Sequence, residues 1–184
     1  MSTVAVLVGS LRKDSFTRKL ANAVVSLKAA PLDFEFVEIG ILPLYNQDFE
    51  TDNPPASWVS FRQQISRCDA ALFFTPEYNR SVPGCLKNAV DVGSRPYGKS
   101  SWEAKPAGVI SVSPGAIGGF GANQHLRQSF VFLNMPAMQE PEAYIGNAAS
   151  LFDAQGNLTD QSTREFLTKF VQSFAAWIEA TRKR

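Results

Sequence analysis

The 184-residue sequence predicts an α/β fold, in which helices cover both faces of a parallel sheet. Short runs that are apolar on both faces, at Val4–Val8, Ala70–Phe74 and Gly108–Val112, have the pattern of buried parallel strands. Longer segments with apolar residues at helical spacing separate them. Such alternation calls for right-handed crossovers and brings ligands to the carboxyl ends of the strands.

Taken in order, the first strand stops at Gly9, and Phe16, Leu20, Ala23, Val24 and Leu27 place a helix near Ser15 to Ala29, closed by Pro31. Asp33 to Ile39 alternates apolar and polar residues, as a strand toward the sheet edge does. A polar, proline-containing loop follows from Pro43 to Pro55, then a helix marked by Trp58, Phe61 and Ile65. The Ala70–Phe74 run predicts a central strand, and a third helix begins after Pro83 and Gly84 and extends to about Val92. Gly108–Val112 empties into a glycine-rich loop, Ser113 to Gly121, before a helix carrying Leu126 and Phe130 that Val131 to Asn134 ends. Pro136 to Gln139 is the expected last strand. Phe166, Phe170, Phe174 and Trp177 give a final helix one apolar stripe.

With 45% hydrophobic residues the chain can bury a full core without disulfides or metal, and its length suits one domain over residues 1–184. A formal net charge of +1 creates no field for nucleic acid or anionic lipid, so neither is an expected partner. Cys68, Cys85 and one histidine, His125, are too few and too scattered for a disulfide framework or a zinc site. Reduced thiols, no leader pattern and no run long enough to span a bilayer together predict a soluble, cytoplasmic protein.

The segment from Val4 to Ala21 is the most informative. A strand that ends at glycine and turns into a helix presents free N–H groups and the positive end of the helix dipole. Ser10, Ser15 and Thr17 can each donate to a phosphate oxygen, and Arg12 can add a charge-assisted bond. The loop has neither G-x-x-x-x-G-K-[ST] nor G-x-G-x-x-G, so a single phosphate fits better than a nucleotide triphosphate or a dinucleotide. Ser15 can equally be the N-cap of the helix alone, and Arg12 a solvated charge.

Two further unusual loops, Thr75 to Gly84 and Ser113 to Gly121, leave the sheet on the same side as this cradle. A phosphate cradle, a loop bearing an aromatic and an amide, and a glycine loop allowing close backbone approach suit a flat heterocycle with one phosphate. That describes FMN.

The set G-S-L-R-x-x-S at 9–15, T-P-E-Y-N at 75–79, P-G-x-L-K-N-A at 83–89 and S-P-G at 113–115 resembles the NADPH-dependent FMN reductases. The similarity is to the branch that includes bacterial chromate and quinone reductases and azobenzene reductases, and it covers nearly the whole chain. It implies a flavodoxin-like fold with strand order 2-1-3-4-5 and a homodimer or homotetramer. It implies that the FMN phosphate lies on Ser10, Arg12, Ser15, Phe16 and Thr17, with Phe16 acting through its backbone. The isoalloxazine is then expected against Pro76, Glu77, Tyr78 and Asn79, and against Ser113 and Gly115. Thr17 stands where many relatives have Asn, Val92 and Gly93 where they often have Trp-Leu, and Cys85 where a small residue is frequent.

The expected activity is transfer of hydride from NAD(P)H to FMN and of electrons onward to a small-molecule acceptor: a quinone, chromate, an azo compound or a flavin. No side chain is assigned as catalytic. Backbone N–H groups of the Glu77 to Asn79 turn can stabilise charge on the reduced ring. Arg80 is expected at the rim of the site with its charge free for an anionic substrate, or else solvated or paired. A flavodoxin-type electron carrier is the alternative, and the near-neutral charge argues against it. Taken singly, Tyr78 can be a half-buried aromatic, and Pro76, Pro83 and Gly84 turn formers. Asn88 and Asp91 are expected in helix and subunit contacts, His125 in packing or an interface, and Cys85 as a small core residue.

Overall fold

A computed structural model describes residues 1–181. The elements run β1 (Ser2–Val8), α1 (Phe16–Ser26), β2 (Leu32–Val37), α2 (Ala56–Arg67), β3 (Ala70–Thr75), α3 (Gly84–Gly93), β4 (Ala107–Val112), α4 (Phe120–Phe132), β5 (Ala143–Ile145) and α5 (Gln161–Thr181). The five strands form one sheet in the order β2-β1-β3-β4-β5, with every neighbouring pair parallel.

Alternation along each strand divides the core in two. Val4, Val6, Val8, Leu72, Phe74, Ile110 and Val112 face α1 and α5, where Phe170 and Phe174 pack. Ala5, Leu7, Ala71, Phe73 and Val109 face α2, α3 and α4 and meet Trp58, Trp102 and Phe130. All of β3 and β4 is buried, as expected of strands with helices on both sides, whereas β2 lies at the edge and is only partly covered.

The last strand corrects the sequence expectation. Pro136 to Gln139 is not a strand of the sheet: it supplies one isolated bridge, Ala137 with Ala107, at the start of β4. Pro136 has no N–H to donate, and its carbonyl accepts from Ala107 N at 3.0 Å, after which the chain turns away. It returns as β5, Ala143–Ile145, against Ile110–Val112. Three residues between polar neighbours leave little alternation to read. Two boundaries also move: α1 ends at Ser26, before Lys28 with φ 48°, and α4 begins at Phe120, inside the expected glycine loop.

Gly93, one of the departures noted above, is accounted for by packing within the chain. A Cβ there would lie 2.5 Å from the Trp102 indole nitrogen, which donates to Val90 O at 2.9 Å. Trp102 is fully buried and fills the space at the end of α3.

Candidate functional site

The loops after β1, β3 and β4 all emerge at the carboxyl edge of the sheet. In the first, Gly9 N donates to Phe74 O at 2.7 Å, and a Cβ on Gly9 would lie 2.9 Å from Leu86 of α3. Glycine lets β1, β3 and α3 approach closely here without displacing the Leu86 side chain. The chain then turns through Ser10 to the N-terminus of α1, where Ser15 is the N-cap and its Oγ accepts from Arg18 N at 3.0 Å. The capping reading of Ser15 is thus correct, and it leaves the Ser15 hydroxyl proton available for donation.

Ser10 and Thr17 are both buried, yet their hydroxyls take no intramolecular hydrogen bond among the described residues. The hydroxyl oxygens are not sealed from solvent, so near the first turn of α1 they are donors that an acceptor-rich ligand can meet. Phe16 stacks on Phe152 with ring centroids 6.3 Å apart, which turns its ring into the protein and leaves its backbone at the helix start. Arg12 is exposed above the loop.

In the second loop, Thr75 is buried at the end of β3 and its hydroxyl donates to Pro76 O at 2.7 Å. Tyr78 and Ser81 exchange two backbone hydrogen bonds, of 3.1 and 3.0 Å. Between them Asn79 (φ 51°) and Arg80 (φ 65°) are left-handed, the signature of a type I′ turn. Tyr78 is about half exposed, on the open side of the loop. The Tyr78 N–H is therefore committed inside the turn.

Glu77 has a mostly buried side chain and points away from a simple ligand role. Its Oε2 accepts from Ala122 N in the first turn of α4 at 3.1 Å, and its Oε1 accepts from Arg80 Nη1 at 3.3 Å. The charge of Arg80, expected to be free, is thus paired, although its side chain remains 76% exposed.

The third loop is held by its own backbone. Ser113 N donates to Ile145 O at 3.0 Å, Ala148 N donates to Ser113 O at 3.1 Å, and Ser113 Oγ donates to Gly115 O at 3.0 Å. Gly118 (φ 67°) runs so close to β5 that a Cβ would sit 2.5 Å from the Tyr144 carbonyl carbon. Tyr144 itself is held above the usual tyrosine pKa, first by burial and then by its neighbour Glu142.

Several residues around these loops make defined contacts within the chain. Asn88 clamps the chain after β2, accepting from Tyr45 N at 2.8 Å and donating to Leu42 O and Pro43 O at 3.2 and 3.1 Å. Asp91 pairs with Lys87 within α3 at 2.7 Å. Cys85 lies in the first turn of α3 with its Sγ 3.5 Å from Gly9 O, and burial pushes its thiol above the ordinary range. The exposed His125 meets Ser81 Oγ at 3.0 Å. Among the described residues there is no cluster of His, Cys, Asp and Glu able to hold a metal, and no helix long and apolar enough to cross a membrane.

Comparison with known proteins agrees with this geometry. The chain is 63% identical over 180 residues to a quinone reductase of Pseudomonas putida, covering 98% of this chain and 96% of that one. It is 48% identical to a 2-hydroxy-1,4-benzoquinone reductase of Burkholderia sp, covering 97% of each. Among solved structures, the flavoenzyme NAD(P)H:(acceptor) oxidoreductase FerB of Paracoccus denitrificans superposes with a TM-score of 0.93 at 45% identity over the full length of both chains. A flavodoxin of Pseudomonas aeruginosa, at 17% identity and a TM-score of 0.59 over 96% of this chain and 99% of that one, shares the fold. The sequence profile of the family described as NADPH-dependent FMN reductase matches residues 2–150, and with the three carboxyl-edge loops in place the chain belongs to that family.

Proposed function

We propose that this chain is an FMN-dependent NAD(P)H oxidoreductase whose acceptors are quinones. The observation that carries the reading is the pair of hydroxyls, Ser10 and Thr17, that make no hydrogen bond among the described residues and stay open to a ligand near the N-terminus of α1. Ser10, Ser15 and Thr17 donate to the FMN phosphate through their hydroxyls, Phe16 through its amide, and Arg12 closes over it with a charge-assisted bond. Pro76, Glu77, Tyr78 and Asn79, together with Ser113 and Gly115, would hold the isoalloxazine. When bound, FMN supplies the redox chemistry, taking hydride from the nicotinamide and passing electrons to the acceptor.

The protein contributes position. Backbone of the 76–79 segment lines the ring, and the Asn79 amide is offered to its electron-rich edge. Arg80, at the rim and mostly exposed, meets the anionic part of the nicotinamide dinucleotide, while a neutral quinone makes no use of it. Donor and acceptor use one open face in turn, which gives ping-pong kinetics. Chromate, azo compounds and free flavins are further acceptors of the same site. The assembly is a homodimer or homotetramer in the cytoplasm, supported by exposed Tyr97, Phe120, Val131 and Phe132.

The test is chromatography of the cofactor released from purified protein, followed by initial rates with NADH or NADPH at several quinone concentrations. FMN and parallel reciprocal plots are expected. FAD as the sole flavin, or intersecting plots, would overturn the corresponding part.

A further inference from the structure

The carboxylate of Glu77 is held by groups that all belong to the protein, and together they join the 75–81 loop to α4. Gly119, the N-cap of α4, is left-handed (φ 78°) and has no side chain with which to cap the helix. Glu77, 45 positions before Ala122, fills that role by accepting from Ala122 N at 3.1 Å. The carboxylate also lies at the positive end of the helix dipole. At Gly121 a Cβ would be 2.8 Å from Arg80 O and 2.9 Å from Glu77 Oε2, so helix and turn touch with no room for a side chain. One helical turn later His125 Nδ1 meets Ser81 Oγ at 3.0 Å.

We infer that Glu77 is a positioning residue, a latch whose carboxylate caps α4 and thereby fixes the left-handed 78–81 turn at the height the flavin ring requires. The inference rests on the proposed FMN site and assigns to the Glu77 side chain a part in it different from contact with the ring. The Asn79–Arg80 turn holds two non-glycine residues at positive φ, a conformation that persists where the surroundings impose it. The α4 contacts are that constraint. The ring-facing surface of the loop is then set from behind, and the Glu77 carboxylate is used up in doing so.

Hydrogen–deuterium exchange on the FMN-saturated protein, read on peptides covering 75–84 and 119–126, tests the latch. Glu77→Ala is expected to speed exchange in both peptides and to weaken FMN about fivefold, the scale of a lost helix cap. Glu77→Gln keeps an oxygen that accepts from Ala122 N and is expected to restore both readouts. Gly121→Ala, which leaves Glu77 untouched, is expected to reproduce the alanine signature from the helix side, and it serves as the second probe should Glu77→Ala not fold. Unchanged exchange at 119–126 in Glu77→Ala or Gly121→Ala would overturn the latch. So would a Glu77→Gln protein as impaired as Glu77→Ala, since the charge itself would then act on the cofactor. If the wild-type chain takes up no FMN, the flavin reading fails, and the same exchange comparison without FMN still decides whether Glu77 holds the loop.

Discussion

Arg80 combines an exposed guanidinium with a single hydrogen bond to Glu77, so most of its donors face outward at the rim of the site. An arriving pyrophosphate or 2′-phosphate has donors to meet without breaking the pair. Arg80→Ala should therefore raise the KM for the nicotinamide about tenfold, leaving FMN content and quinone KM close to wild type. Equal losses for both substrates in steady-state assays would make Arg80 structural. Asn88 sits at the other extreme, 7% exposed, with its whole amide used by Leu42, Pro43 and Tyr45. Asn88→Ala strands those groups and should cost about 1–3 kcal/mol in urea unfolding, with a mostly intact flavin site.

Helix α1 has two duties at its N-terminus, and they can be separated. Ser15 caps the helix by accepting from Arg18 N, and in the proposed site it donates to the FMN phosphate. Aspartate caps as well as serine but brings a negative charge to an anion site. Ser15→Asp should thus leave the thermal midpoint of the FMN-free protein within a few degrees of wild type while weakening FMN about a hundredfold or more, the scale of like charges close together at a protein surface. Ser15→Ala should instead lower stability by about 1 kcal/mol. A Ser15→Asp protein with normal FMN affinity, measured by flavin fluorescence titration, would remove Ser15 from the phosphate cradle.

At the scale of the whole molecule, the end of the sheet opposite the carboxyl-edge loops contains a buried cation. Lys105 precedes β4, is 9% exposed, and donates from Nζ to Cys68 O at the end of α2. Burial lowers its pKa below the usual lysine value, while Cys68 and Asp69 push it back up. Between the lowered folded value and the ordinary value of about 10.5, the unfolded chain holds a proton that the folded chain has released. Folding stability contributed by this group therefore rises with pH through that alkaline window, and the burial penalty is felt in full below it. Relative to Lys105→Met, the wild type should gain stability as the pH rises toward about 10.5 in denaturant titrations. A constant difference across the range would mean that the ammonium is as well solvated in the fold as out of it.

The layers, the buried central strands and the carboxyl-edge loops were legible in the sequence, because periodicity and strand-ending glycines are local patterns set by which faces meet the core. The Ser10, Ser15 and Thr17 hydroxyls were legible for the same reason, since a strand, a turn and a helix start follow one another within the 4–21 segment. The place of β5 was not, because A-Y-I at 143–145 is too short to carry a period and Pro136 offered a more apolar decoy. Nor were the partners of Glu77 and Asn88. Each is joined to groups whose position depends on how α3, α4 and the loop after β2 pack, and a hydrogen bond across 43 or 45 residues leaves no mark on local composition. Sequence alone determined which residue types the carboxyl edge carries, and tertiary structure decided which of its side chains hold the loops, because close packing fixes those neighbours only once the layers have met.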